Sequence, residues 1–146
     1  MHSLLLVTHS IIRYFVLILL ILVIVRSCVG WIKKSPYDTL DNQLSLSLFI
    51  FTHSQLLVGL LLFFVSPLVV FSGATMKDPN ARYWLVEHNT GMIIAIVLIT
   101  IARISSKKME DGVAKHRRMF IFNFTALAIV LLIIGYSKRG FFGITY

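Results

Sequence analysis

Histidine, arginine and glutamate are the residues here whose chemistry demands a partner, and several of them interrupt long apolar runs. His9 and Arg13 stand four apart in "LLLVTHSIIRYFVLILLILVIV". His53 and Gln55 stand in "LFIFTHSQLLVGLLLFF", and Glu87 and His88 are adjacent in "RYWLVEHNTGMIIAIV". Arg103 and Asn123 complete the set. A neutral imidazole offers a nitrogen lone pair to a metal. A guanidinium binds carboxylate or phosphate in a two-pronged fashion. Ionisable groups inside a hydrocarbon-facing helix are expensive, and by default they face the bundle interior and mark a site. The chemistry open to this set is therefore metal or haem ligation, anion holding, or proton handling.

Four apolar segments must position these residues, at about residues 4–25, 44–71, 83–104 and 119–136. Each approaches the ~20 residues that cross a bilayer. The 146-residue chain is 58% hydrophobic, 14% charged and has a mean hydropathy of +0.87. So small a domain cannot hide that excess in a core, which makes lipid its solvent. The first segment lacks a basic leader and a small-residue cleavage site, so it reads as a mature helix. Pro67 predicts a bend or stop near the end of the second. The reading is one transmembrane domain over residues 1–146.

The net charge of +8 sits in the connections. Arg26, Lys33, Lys34, Arg103, Lys107, Lys108, Lys115, Arg117 and Arg118 flank the first and third connections. Lys77, Arg82, Lys138 and Arg139 lie on the other side. Nine against four puts the first group in the cytoplasm and both termini outside. Short connections favour an all-α, antiparallel up-down four-helix bundle. No basic face is interleaved with aromatics, which excludes nucleic acid as a partner. The lone Cys28 reads as a loop thiol.

Depth then selects among the chemistries. At 1.5 Å per residue, His9 and His88 both lie about 8 Å below the outer edge of their helices. Helices 1 and 3 face each other across the bundle diagonal. Two imidazoles at one level on opposing helices can clamp a flat macrocycle, the geometry of a bis-histidine haem. Arg13 shares the His9 face and needs an anion, either a haem propionate or Glu87. Arg82 at the outer mouth is a second propionate candidate. Trp84 and Met92, one turn either side of His88, are placed to line the ring faces, and Gly91 to admit a ring or a helix.

His53 enters from the other side to roughly 14 Å, near the midplane. It reads as a packing hydrogen bonder or as a ligand, quinone contact or proton carrier. Gln55 points about 200° away from it and groups with Gly59 as a packing face. His116, beside Arg117 and Arg118, reads as a topology and lipid-headgroup feature. A metal cage of His9, His88 and Glu87, with His53 as a fourth ligand, is the competing chemistry. Asp38, Asp41, Asp78 and Asp111 all read as loop residues, so no Ser-His-Asp triad can be placed.

The motifs His9-x3-Arg13, Asp41-Asn42, Thr52-His53-x-Gln55 with Gly59, Arg82-x4-Glu87-His88 and Lys115-His116 run across nearly the whole chain. In that order they resemble the small four-helix bacterial membrane proteins of the cytochrome B-like kind, within the broad cytochrome b561 type. The resemblance implies a haem b protein of the bacterial cytoplasmic (inner) membrane that passes electrons to quinone or a respiratory partner. Histidines of that broader type come in depth-matched pairs for two haems. Here only His9 and His88 match, so one haem is expected. The other class of reading is a cofactor-free structural or assembly subunit of a larger membrane complex, or a homo-oligomer, with these residues as interhelical glue. A small transporter is a third reading, for which four helices leave little room.

Overall fold

The computed structural model describes residues 1–136, so Lys138 and Arg139 of the charge count lie outside the described residues. The described chain is helical and holds no strand. Four helices are long and apolar enough to cross a membrane: α1 (His2–Lys33), α2 (Thr39–Val65), α3 (Pro79–Lys107) and α4 (Gly112–Tyr136).

Every helix outruns the apolar segment that predicted it, except that α2 stops early. Hydropathy locates hydrocarbon, but a helix continues until a cap, a left-handed residue or a proline ends it. Thus α1 runs through Arg26 and Cys28, which are helical rather than looped, and ends at Lys34 with φ of 55°. Asp38 then caps α2 in a reciprocal box, its side chain accepting from the Asp41 N–H while the Asp41 carboxylate accepts from the Asp38 N–H. Asp41 is therefore a helix residue and not a loop residue. Ser66 turns extended before Pro67, so α2 closes at Val65. Asp78 caps α3 with Pro79 in its first turn.

Polar contacts pair the helices antiparallel. Arg26 meets Asp41, and His9 meets Gln55, between α1 and α2. Arg103 meets Ser45, and His53 meets Thr100, between α2 and α3. Tyr83 meets the Ile133 carbonyl between α3 and α4. α1 also lies along α4, and the α2–α3 seam is the sparsest of the neighbouring contacts. α1 and α3 are thus the diagonal pair.

The apolar core lies in the middle and the basic half. Leu20, Val23, Ile24, Leu48, Ala95, Ile99, Ala102, Met119 and Ala126 form it. The small residues of α3 and α4 let the backbones approach closely. Outward-facing positions carry Leu4, Ile11, Phe15, Ile18, Leu57, Phe64 and Leu132, all exposed. So much apolar surface facing outward suits a lipid surround.

Candidate functional site

A widened turn places His88. Tyr83–Glu87 forms one turn of π-helix inside α3. Such turns are rare and concentrate at functional sites. The Asn89 amide donates to the Trp84 and Leu85 carbonyls at 2.8 and 3.1 Å, satisfying acceptors the wider turn leaves open. The same turn brings Arg82 under Glu87, five residues on, where Arg82 Nε donates to the carboxylate at 2.7 Å. On a regular helix five residues subtend about 500°, which would set the two well apart.

Next to this turn, the His88 ring meets the His9 ring across the bundle. Their centroids are 6.5 Å apart with planes at 60°. Trp84 and Tyr83 flank His88 at 5.2 and 5.8 Å. From α2, Gln55 Nε2 lies 3.3 Å from His9 Nε2. Gly59, one turn on, makes room for the His9 ring, since a Cβ there would stand 3.2 Å from His9 Cε1. The positive charge of Arg13 acts on both imidazoles. Its guanidinium lies over the Tyr14 ring at 5.0 Å and donates to the Tyr14 hydroxyl at 3.4 Å.

Four polar atoms of this cluster are buried with no partner among the described residues: His9 Nδ1, His88 Nδ1, Gln55 Oε1 and Glu87 Oε2. A buried polar group left unpaired costs about 1–3 kcal/mol. Several together in one place are a strong reason to look for a ligand. Two imidazoles sharing one metal, at about 2 Å from each nitrogen, have centroids roughly 6 Å apart. The His9–His88 spacing is therefore close to that of two imidazoles on one metal, but an amide N–H given to His9 Nε2 leaves the proton on Nδ1, so His9 would ligate only with the Gln55 amide turned over or released.

Other expected members fall elsewhere. Glu87 is joined to Arg82, so the carboxylate and the guanidinium serve each other. Met92 is half-buried and takes no part in the polar contacts among the described residues. Gly91 admits a helix rather than a ring, because the Ile133 side chain of α4 fills the space before it. His53 is remote. Its Nδ1–H donates to the Phe49 carbonyl at 2.8 Å, and its Nε2 lies 3.5 Å from the Thr100 hydroxyl. Thr100 is twelve residues beyond His88 on α3, about 18 Å along the axis. The metal cage of His9, His88, Glu87 and His53 does not form, and the described residues hold no group of three or more His, Cys, Asp or Glu placed for a metal ion.

His116 is the largest departure. Instead of meeting headgroups it is 1% exposed, enclosed between α1, α4 and the α1–α2 link. Its Nε2 lies 3.2 Å from the Pro36 carbonyl and 4.0 Å from the Asp41 carboxylate, and its ring meets Tyr37 at 5.1 Å. Gly30 is what admits it, for a Cβ there would stand 2.5 Å from the ring. Gln55 is the residue that the sequence reading left out of the site and that the structure puts in it. No known protein family, curated protein or solved structure matches this chain.

Proposed function

We propose that this chain is a b-type cytochrome-like electron carrier, a multi-pass protein of a bacterial cytoplasmic membrane with its basic end in the cytoplasm and both termini outside. It holds one haem b between α1 and α3. The observation that carries the reading is the pair of buried imidazoles on diagonal helices, 6.5 Å apart, each with an unpartnered nitrogen. A haem iron held by two histidines takes up and releases single electrons. His9 and His88 would hold the haem iron. Gln55 fixes the rotation of the His9 ring, and the π-turn fixes that of His88. Arg13 would offer positive charge to a haem carboxylate, and the Arg82–Glu87 pair locks the turn that carries His88. His53, with Nδ1 bound to a carbonyl and Nε2 at the sparse α2–α3 seam, suits a quinone contact near the midplane. A haem held there would supply one-electron exchange with quinone or a respiratory partner.

The cofactor-free subunit is the second reading. The Gln55 amide on His9 Nε2 and the Ile133 side chain before Gly91 favour it, because the first already partners a ring nitrogen and the second fills the space at Gly91. A reduced-minus-oxidised spectrum with pyridine-haemochrome quantitation separates the two. A b-type spectrum near one haem per chain, lost in both His9→Ala and His88→Ala, is the expected result. A colourless protein from a haem-replete host, co-purifying in fixed ratio with larger subunits, would sink the cytochrome reading.

A further inference from the structure

The cytoplasmic-type end holds a second polar feature that the haem reading does not use. A cavity of about 330 Å³ opens there between α2, α3 and the start of α4. Tyr37, Asn42, Ser45, Arg103, Lys107 and Lys115 line it. Arg103 is the informative member. It is only 8% exposed, yet it pairs with no carboxylate among the described residues. Its hydrogen bonds go to the Ser45 hydroxyl at 3.0 Å and the Asn42 carbonyl at 3.4 Å, and both use Nη1. The Nε and Nη2 donors are left without a protein acceptor among the described residues. A buried guanidinium is normally neutralised by an anion, because a charge taken from water costs several kcal/mol unless paired.

The nearby charges do not neutralise it. Asp38 also lines the cavity, but its carboxylate is engaged by Arg26 at 3.3 Å and by the Asp41 N–H. The Asp41 carboxylate takes Arg26 Nε at 2.9 Å. Lys107 and Lys115 add two more cations, the latter with its ammonium 5.5 Å from the Tyr37 ring. A planar fork with spare donors, two ammonium groups and neutral hydroxyl donors is a receptor for a phosphate group.

We propose that this cavity binds a phosphate group, with Arg103 as the principal binding residue and Lys107 and Lys115 as its rim. Two sources carry that chemistry at this end of the bundle: soluble phosphate and the headgroup of an anionic phospholipid. The full chain in neutral detergent is unfolded thermally with inorganic phosphate against chloride of equal ionic strength. The same is done in phosphatidylglycerol-containing against all-phosphatidylcholine nanodiscs. A shift with inorganic phosphate assigns a soluble anion. A shift only with phosphatidylglycerol assigns a headgroup. In either case Arg103→Gln weakens binding roughly ten- to hundredfold, the loss of charge-assisted hydrogen bonds. Lys107→Gln/Lys115→Gln, at less buried positions, weakens it a few-fold. No shift with either probe overturns the proposal, and so does a shift that survives in both variants.

Discussion

The two ends of the bundle satisfy their buried polar groups to different degrees. At the basic end, Asp41 is 6% exposed and serves three partners at once: Arg26, the Asp38 N–H and, at 4.0 Å, His116. His116 fits a recess that Gly30 was left open to provide. The apolar core stands directly behind this network. At the other end, His9, Gln55, Glu87 and His88 bury four polar atoms that the described residues leave unsatisfied. The first arrangement fixes helix packing and leaves one buried atom, His116 Nδ1, without a partner among the described residues; the second leaves four.

The sharpest way to break that contrast is to fill the Gly30 recess. A methyl group there collides with three atoms of a ring that is 1% exposed and has nowhere to go. Gly30→Ala should lose about 1–3 kcal/mol by overpacking, despite a helix-propensity gain of up to ~1 kcal/mol. Thermal unfolding in detergent measures it. His116→Ala in the same chain should restore most of the loss, and the double-mutant cycle reports the coupling directly. An additive cycle would show that the recess is not what holds the ring.

The His9–His88 end should respond in the reverse sense. In haem-free protein, His88→Leu removes a buried orphan nitrogen and replaces it with an apolar group. Stability should stay level or rise by about 1 kcal/mol. In haem-replete protein the same variant should lose the b-type spectrum. A haem-free loss of more than about 2 kcal/mol would instead make His88 a packing residue and draw the two ends together.

How much of this was legible in the sequence follows from the range of each interaction. The four helices were legible, because apolar runs near bilayer length leave few alternatives. Their ends were not, since Lys34 and the Asp38–Asp41 box act through backbone geometry that hydropathy ignores. The closeness of His9 and His88 followed from counting depth along regular helices. The Arg82–Glu87 pair did not, because a π-turn breaks the 3.6-residue period on which such counting rests. His116 was misread for a related reason. Beside Arg117 and Arg118 it looks like part of a basic surface, and the residue that buries it, Gly30, lies on another helix. Gln55 was assigned to packing with Gly59. Both in fact face His9, so the shared face was right and its partner was missed.

A gentler probe is Gly59→Ala. Its Cβ would stand 3.2 Å from His9 Cε1, so the ring must yield by a few tenths of an ångström. At the loosely satisfied His9–His88 end the imidazole has that freedom. The helix gains about 0.5–1 kcal/mol from losing a glycine, and the net change in haem-free melting should be near zero or positive. The equivalent step at Gly30 should be strongly negative. Equal losses at both glycines would show that the His9–His88 end is packed as rigidly as the basic end.

The smallest expected effect is a pH dependence at the basic end. The Asp41 N–H and then the Arg26 charge hold the Asp38 carboxyl below its ordinary value of 3.8. A depressed carboxyl contributes stability that is fully present above its unfolded value and is lost as pH falls through its folded one. Asp38→Asn isolates that contribution, because asparagine caps a helix about as well as aspartate but carries no charge. The melting difference between the two proteins should be constant from neutral pH down to about 5, then shrink as the medium is acidified past the ordinary aspartate range. Because Asp38 is exposed, raising the salt should shrink the difference at neutral pH as well. A difference that ignores both acid and salt would mean that the Arg26 contact adds nothing to the cap, and that only Asp41 anchors α1 to α2.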